Sequence, residues 1–312
     1  MVDVTTTSTP QPGSFVRAVS NFRDWVTADA TSDYPAEAGR YHLYVSLACP
    51  WAHRTVIVRQ LKRLTDVVSL SIVDPIRDER GWAFTGALRT DLDAVNGFRF
   101  LSEAYTASDP AYPGRVSVPV LWDRRTGRIV NNESADIIRM LGTAFDAFTD
   151  VDLGLYPVEL ADEIDTVNNR VYDGLNNAVY RAGFGRTQAA YDASVHDVFE
   201  TLDWLDARLA DRRYLVGSHI TEADWRLFTT LVRFDPVYVT HFRCDRRRIV
   251  DYPALSGYLR ELYAVPGVAG TVDFDQIRRH YFLTHRDLNP RGLLPIGPVI
   301  DLSARHGREA LS

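Results

Sequence analysis

The chain has 312 residues, of which 46% are hydrophobic and 24% charged, so it is long enough for two domains or one large one with a buried core. Its net charge is −6 and it has no basic block, which argues against a nucleic-acid partner. The N-terminus lacks the basic and apolar segments of a secretion signal, and no stretch approaches the roughly 20 apolar residues of a membrane span, so we expect a cytoplasmic protein without a membrane partner.

The first part of the chain predicts a small α/β domain behind a polar arm. Residues 1–40 are rich in Pro, Thr, Ser and Gly, and we expect an arm that lies over the surface or is partly disordered. Alternating apolar residues over 41–47 predict a strand, and the spacing of Ile57, Leu61 and Leu64 predicts a helix that starts near Pro50.

A second strand is predicted over 67–73, followed by a long excursion without clear periodicity over 74–115. The segments 116–123 and 127–130 predict a β-hairpin, and residues 131–141 predict a helix with Asn at its start. The order of strands and helices therefore defines a small α/β domain over residues 41–145.

Beyond residue 145 the pattern is helical. Apolar residues recur at helical spacing, first over 164–179 and then over 191–209. The Thr-x-x-Asp sequence of Thr221 and Asp224 precedes another apolar run and predicts a capped helix start. We therefore expect an all-α domain over residues 146–295 and a tail over 296–312.

Cys49 stands where the first predicted strand gives way to a helix. Unpaired backbone N–H groups and the positive end of the helix dipole favour a thiolate at that position, which makes Cys49 a candidate nucleophile. Ala52 replaces the second cysteine of a Cys-x-x-Cys motif, so an external thiol must resolve a mixed disulfide at Cys49 unless Cys244 swings in. The alternative is that Cys49 is a small buried hydrophobe. The other cysteine, Cys244, is expected to be a passive thiol deep in the helical half.

Several separated motifs resemble the glutathionyl-hydroquinone reductases, the xi class of glutathione transferases. The resemblance runs from about residue 34 to residue 298, and the motifs that carry it are GRYHLYVSLACPWAHR at 39–54, GW at 81–82, VPVLWD at 118–123, NNES at 131–134, NNAVYRAGF at 176–184 and RHYFLTHRDLNPRGLLPIGP at 279–298. The resemblance implies a thioredoxin-like N-terminal domain, an all-α glutathione-transferase-like C-terminal domain and a homodimer. It also implies an enzyme that takes glutathione as co-substrate and removes glutathione from aromatic glutathionyl-hydroquinones through Cys49.

The resemblance assigns the glutathione-binding residues to the α/β domain. Trp82 matches a tryptophan beside glutathione, and Val118 precedes Pro119 where thioredoxin-like folds place a cis proline, so the Val118 backbone is expected to pair with the middle of glutathione. Glu133 and Ser134 open a helix, and a helix N-terminus with a hydroxyl suits the γ-glutamyl carboxylate while Glu133 meets the ammonium.

The resemblance assigns the aromatic substrate to tyrosines of the helical domain. Tyr180 and Tyr281 match tyrosines beside the hydroquinone, where they assist proton transfer. Helical spacing also places Tyr180 in a row with Asn169, Tyr172 and Asn176, which either lines a cleft or is a solvated face or a set of core tyrosines.

The sequence departs from the family pattern at Ala178, Arg181 and Phe282, which leaves the details of the aromatic pocket open. No metal is expected, because the spacing of His280, His285 and Asp287 suits no regular ligand pair.

The small thiol itself is left open. Lys62 is the only lysine among 35 basic residues, a bias typical of a GC-rich genome, and in actinobacteria the main small thiol is usually mycothiol. Mycothiol is therefore a possible donor. The residues are also compatible with a conjugating transferase, a glutaredoxin-like reductase or a non-enzymatic thiol-binding module.

Overall fold

The computed structural model describes residues 13–29 and 31–311, so residues 1–12 of the predicted arm lie outside the described residues, as do Ala30 and Ser312. The strands are β1 (Val26–Thr27), β2 (Tyr34–Pro35), β3 (Tyr41–Val45), β4 (Ser69–Ile72), β5 (Val120–Asp123) and β6 (Arg128–Asn131). The helices are α1 (Pro50–Leu61), α2 (Leu101–Ser108), α3 (Ser134–Thr143), α4 (Ala161–Val171), α5 (Ala178–Phe184), α6 (Gln188–Arg208), α7 (Glu222–Arg233), α8 (Val239–His241), α9 (Pro253–Ala264) and α10 (Phe274–Arg279). The helical half also contains π-helical turns at Tyr172–Asn176, Phe234–Tyr238 and His280–Thr284.

A four-stranded mixed sheet forms the centre of the N-terminal half, in the order β4, β3, β5, β6. Strand β3 runs parallel to β4 and antiparallel to β5, and β5 pairs antiparallel with β6. All residues of β3 are buried, because this strand has a neighbour on each side and packed layers on both faces. The predicted thioredoxin-like class and the β5–β6 hairpin are confirmed.

The excursion predicted over 74–115 is wrong in one respect, because it contains helix α2. The buried positions of α2 are Leu101, Ala104, Tyr105 and Ser108, which is the spacing of one helical face. The apolar set is short and is interrupted by polar residues, so the periodicity was too weak to identify the helix. Helix α2 packs against β6 and helps to bury the sheet.

The C-terminal half is helical, as predicted, and has its own apolar core. Every residue of α7 is buried, so this helix lies at the centre of the domain. The predicted cap is confirmed: the Asp224 carboxylate accepts a hydrogen bond from the backbone N–H of Thr221 at 2.8 Å. Among the described residues, no helix combines the length and apolar character needed to cross a membrane.

Buried arginines connect the two halves. Arg233 at the end of α7 is fully buried and donates to the carbonyl oxygens of Leu47 and Ala48 at 2.8 and 2.9 Å. Arg54 of α1 reaches in the other direction and donates to the Asn176 side chain at 3.0 Å. The loop that leads into α1 is therefore held by the helical half.

Both chain ends described by the structure are packed against the body of the protein. In the predicted arm, the Asp24 backbone N–H donates to the Val130 carbonyl at 3.0 Å, so the arm extends the edge of the sheet beside β6. In the predicted tail, buried Arg308 pairs with Glu261 at 3.1 Å and also donates to the Leu209 carbonyl. These contacts explain how segments with weak periodicity of their own become ordered.

Candidate functional site

A cleft of about 1170 Å³ between the two halves brings the predicted site residues together. All of them line it: Cys49, Trp82, Val118, Pro119, Glu133, Ser134, Tyr180 and Tyr281. The N-terminal half contributes the residues around Cys49, and the helical half contributes the tyrosines. We call these two sides the thiol half and the aromatic half of the cleft.

Cys49 is the N-cap residue of α1, and Pro50 follows it as the first helical residue. The side chain is partly exposed, and its thiol donates to the carbonyl oxygen of Val118 at an Sγ–O distance of 3.7 Å. The thiol therefore lies at the positive end of the α1 dipole and faces the cleft.

The thiol half of the cleft also contains a cis peptide bond and the N-terminus of helix α3. The peptide bond between Val118 and Pro119 is cis, and the Val118 carbonyl lies beside the Cys49 thiol. Glu133 is the N-cap of α3, where its carboxylate accepts from the Ala135 backbone N–H at 3.2 Å. Ser134 is buried next to it and accepts a hydrogen bond from Arg54 at 3.4 Å. A carboxylate and a hydroxyl thus stand at one helix N-terminus, close to the cleft.

Trp82 lies in a stack of side chains at the wall of the cleft. Its buried ring stacks on the His280 ring at a centroid distance of 5.0 Å, and the Arg77 guanidinium lies 4.8 Å from the Trp82 ring. Burial lowers the pKa of Arg77, and the nearby charge of Arg115 lowers it further. Both arginines line the cleft, so this wall carries positive charge.

The aromatic half is built around hydrogen-bonded tyrosines. The hydroxyl oxygens of Tyr180 and Tyr281 are 2.6 Å apart, and that of Tyr281 is 3.2 Å from the hydroxyl of Tyr238. Tyr238 and Tyr281 belong to π-helical turns, and Tyr180 belongs to α5, which follows the first such turn. Wide turns of this kind shift side chains relative to a regular helix and are common at functional sites.

Burial raises the pKa of Tyr180, and it raises the pKa values of Tyr238 and Tyr281 well above that of a free tyrosine. All three hydroxyls are therefore protonated at neutral pH. A chain of protonated phenols can donate a hydrogen bond or a proton to a group in the cleft.

The sequence did not identify Tyr238 or Arg17 as site residues. Tyr238 lies two residues after Pro236. A proline inside a helical run indicates distorted helix geometry, and it could have pointed to the π-helical turn at Phe234–Tyr238. Arg17 lies in the arm, and its guanidinium is 4.8 Å from the Tyr180 ring. No local pattern marks Arg17, because its position depends on contacts with distant segments.

The remaining candidates have structural partners. Among the described residues, no three His, Cys, Asp or Glu side chains gather as they would around a metal ion. The His280 imidazole pairs with the Pro75 carbonyl at 2.7 Å, and His285 pairs with His241 at 3.2 Å. Cys244 is fully buried, and burial raises the pKa of its thiol to about 12. A thiol in this environment is a poor nucleophile.

Family models divide the chain in the same way as the fold. The model of the glutathione S-transferase N-terminal domain matches residues 48–144, and that of the C-terminal domain matches residues 188–261. A thioredoxin-like sheet, a helical domain and a cleft between them that contains a helix-capping cysteine define a glutathione transferase of the cysteine-containing type.

Comparison with individual proteins narrows the class. Glutathionyl-hydroquinone reductase YqjG of Escherichia coli is 52% identical over 304 residues, which cover 95% of this chain and 93% of that protein. Glutathionyl-hydroquinone reductase PcpF of Sphingobium chlorophenolicum is 47% identical over 92% of this chain and 90% of that protein.

Solved structures agree with these sequence matches. The glutathione-bound structure of YqjG covers 93% of this chain and 96% of its own with a TM-score of 0.89, and a xi-class transferase from Natrialba magadii, 48% identical, covers 93% and 89% with a TM-score of 0.91. The chain therefore belongs to the glutathionyl-hydroquinone reductases, the xi class of glutathione transferases. The resemblance and the enzyme class predicted from the sequence are confirmed.

Proposed function

We propose that this chain uses glutathione to reduce glutathionyl-hydroquinones, with Cys49 as the nucleophile. One observation carries this assignment of roles: the partly exposed Cys49 thiol and the paired hydroxyls of Tyr180 and Tyr281 line the same cleft. A sulfur nucleophile and a proton donor for an aromatic leaving group therefore share one space.

In the first half-reaction, the Cys49 thiolate attacks the sulfur of the glutathionyl thioether. A sulfur–sulfur bond forms to Cys49, the bond between sulfur and the aromatic carbon breaks, and the electron pair goes to the ring, which takes up a proton. Tyr180 and Tyr281 are proposed to donate hydrogen bonds to the hydroquinone oxygens and to assist this proton transfer. Their hydroxyls are protonated at neutral pH and can therefore act as donors.

In the second half-reaction, the thiolate of a free glutathione attacks the glutathione sulfur of the mixed disulfide. Oxidised glutathione leaves and the Cys49 thiolate is restored. Ala52 stands where a resolving cysteine would be, and Cys244 is buried, so the external thiol is the expected resolving group. The sum of the two steps converts the conjugate and one glutathione into free hydroquinone and oxidised glutathione.

The thiol half supplies the proposed glutathione contacts. The Val118 backbone, beside cis Pro119, lies next to the Cys49 thiol and is the expected partner of the peptide-like middle of glutathione. Glu133 and Ser134 at the start of α3 suit the ammonium and carboxylate of the γ-glutamyl end. Trp82 is proposed to cover the bound tripeptide from the wall of the cleft.

The charge of the cleft favours glutathione over mycothiol. Glutathione has two carboxylates, whereas the pseudodisaccharide of mycothiol has none. Arg77 and Arg115 line the cleft, and the Arg77 Nε is buried without a hydrogen-bond partner among the described residues. These arginines can form charge-assisted hydrogen bonds with the carboxylates of glutathione. The uncharged pseudodisaccharide of mycothiol offers no carboxylate for such bonds.

An activity panel tests the assignment. The purified protein is assayed with glutathionyl-hydroquinone, chlorodinitrobenzene and a glutathione mixed disulfide, each with glutathione, and with the matching mycothiol conjugate and mycothiol. We expect turnover with the glutathionyl-hydroquinone. Activity confined to chlorodinitrobenzene would indicate a conjugating transferase, activity confined to the mixed disulfide a glutaredoxin-like reductase, and activity confined to mycothiol a different thiol with the same Cys49 chemistry. A complete lack of turnover would favour a non-enzymatic thiol-binding module.

Two further properties belong to the proposal. A homodimer follows from membership of the class, and sedimentation at micromolar concentration tests it. A reducing, cytoplasmic location follows from the use of free Cys49 as a reactive thiol, and fractionation of the source cells tests it.

A further inference from the structure

Arg17 of the N-terminal arm is positioned inside the cleft by aromatic rings and one amide. Its guanidinium carbon lies 4.6 Å from the centre of the Trp51 ring and 4.8 Å from that of the Tyr180 ring. Its Nε donates to the Asn177 side-chain oxygen at 2.7 Å. Cation–π contacts with two rings and a short hydrogen bond fix the plane and direction of the guanidinium.

The segment that carries Arg17 is anchored at both ends. Before it, the Gly13 carbonyl accepts from the Arg186 backbone N–H at 3.1 Å. After it, the Ser20 hydroxyl donates to the Glu133 carboxylate at 3.0 Å. The arm therefore runs from the aromatic half to the thiol half, and residues 13–20 form one wall of the cleft.

One nitrogen of Arg17 has no acceptor. Its Nη2 atom is buried and has no hydrogen-bond partner among the described residues. An unsatisfied buried donor is unfavourable, and one on a charged group is more so. Arg17 lines the cleft, so an acceptor on a bound molecule that reaches the guanidinium would satisfy this nitrogen.

The surroundings of Arg17 indicate which part of the substrate supplies that acceptor. Its guanidinium contacts the ring of Tyr180, whose hydroxyl is paired with Tyr281, and the adjacent Phe15 lies 5.4 Å from Phe184. These side chains form the aromatic half of the cleft. Burial raises the pKa of Tyr180, but the positive charge of Arg17 acts to lower that pKa. Arg17 therefore favours negative charge at this place.

The geometry points to Arg17 as a specificity-determining residue that donates from Nη2 to an oxygen on the aromatic part of the substrate. This inference rests on the proposed function, in which that oxygen is a hydroquinone hydroxyl or an acidic group on the same ring. As the electron pair moves into the ring in the first half-reaction, the ring oxygens gain negative charge, and a fixed cation beside them stabilises it. The arm thereby becomes part of the substrate site.

Binding measurements in protein carrying Cys49→Ser test this inference, because that background cannot turn over the ligand. Dissociation constants are measured by calorimetry for a glutathionyl-hydroquinone and for S-methylglutathione, which has the same tripeptide but no ring. Each ligand is titrated into the Cys49→Ser protein alone and with Arg17→Met added. Arg305→Met is the matched control, because its side chain is 82% exposed and lies outside the cleft.

We expect Arg17→Met to weaken binding of the aromatic conjugate about ten-fold and to change binding of S-methylglutathione by less than about two-fold. Equal weakening of both ligands would overturn the inference, because Arg17 would then act on the tripeptide or on the fold. Unchanged binding of the conjugate would also overturn it. If thermal unfolding shows that Arg17→Met does not fold, Arg17→Lys provides the same comparison, with an expected loss of about three-fold for the conjugate alone. If the parent protein turned over none of the conjugates, that result would instead refute the proposed function.

Discussion

The two halves of the cleft are built by different physical means. In the thiol half, Cys49 and Glu133 are both N-cap residues, and Val118 precedes a cis peptide. Short backbone motifs decide where these groups point. In the aromatic half, Tyr238 and Tyr281 lie on π-helical turns whose geometry depends on packing between helices. There the side chains orient one another.

This difference separates two roles in the proposed reaction. Backbone motifs hold the same position for every member of a class of ligands, which suits a constant glutathionyl group. A pocket of stacked side chains can change shape with few substitutions, which suits variable aromatic rings. We therefore expect changes in the thiol half to affect every substrate, and changes in the aromatic half to affect aromatic conjugates selectively.

The largest effect is expected in the thiol half, where Cys49→Ser removes the proposed nucleophile. Turnover of glutathionyl-hydroquinone should fall about a thousand-fold or more, because an alcohol attacks sulfur far less readily than a thiolate. Intact mass after treatment with oxidised glutathione should show one adduct on the parent and none on the variant. Cys244→Ala is the matched control and should keep parental turnover, since Cys244 is buried outside the cleft. Near-parental activity of Cys49→Ser would remove Cys49 from the mechanism.

The next prediction tests whether the thiol half of the cleft keeps its shape without support from the helical domain. Arg233 belongs to the helical domain but donates to the carbonyls of Leu47 and Ala48, directly before Cys49. Arg233→Met should lower the free energy of unfolding by about 2–4 kcal/mol, because it leaves buried carbonyls without donors. It should also slow alkylation of Cys49 by iodoacetamide in the folded protein.

Urea unfolding and alkylation rates measure the two effects of Arg233→Met. Arg212→Met is the control, because the Arg212 side chain is 52% exposed and its loss should leave both quantities unchanged. An alkylation rate equal to that of the parent would show that the loop before Cys49 holds its shape without the helical domain.

The same division explains what the sequence could predict. The position of Cys49 followed from a strand, a cysteine and a proline in succession, and the cap at Asp224 from a four-residue pattern. Such features depend on neighbours in the chain. Arg17 contacts Asn177, which lies 160 residues away, and no local pattern carries that information. Tyr238 was missed because its approach to Tyr281 depends on how two π-helical turns, distant in the chain, pack together.

In the aromatic half, the hydroxyls of Tyr180 and Tyr281 are expected to matter for the step that breaks the bond to the ring. Tyr180→Phe and Tyr281→Phe should each lower kcat on glutathionyl-hydroquinone by about ten-fold, because a hydrogen bond made in the transition state is lost. Tyr238→Phe should cost less, about three-fold, since Tyr238 is not among the residues that line the cleft and its hydroxyl pairs with that of Tyr281.

These tyrosine variants should form the Cys49 adduct with oxidised glutathione at the parental rate, because that reaction involves no ring. Tyr191→Phe is the matched control, since its hydroxyl bonds to the Arg243 carbonyl outside the cleft. Equal slowing of adduct formation and of conjugate turnover would show that the hydroxyls support the fold of the whole cleft rather than the aromatic half.

The smallest expected effect concerns the histidines behind the tyrosines. Burial lowers the pKa of His241 to about 4, and the charge of Arg243 adds to the shift. In the unfolded chain an ordinary histidine has a pKa near 6.5, so between roughly pH 6.5 and 4 the unfolded state binds a proton that the folded state does not. The free energy of unfolding therefore falls as the pH falls through this window, by at most about 1.4 kcal/mol per pH unit for each such histidine.

His241→Gln removes one of these groups, so between pH 6 and 5 the free energy of unfolding should fall less steeply with decreasing pH than in the parent, by about 1 kcal/mol per pH unit. Urea unfolding at several pH values measures this slope. His196→Gln is the matched control, because the His196 side chain is 73% exposed and its loss should leave the slope unchanged. Carboxylates titrate in all three proteins and cancel in the comparison. An unchanged slope in His241→Gln would mean that water reaches this histidine, so that the side chains behind the tyrosines would not exclude solvent as the packing of the aromatic half requires.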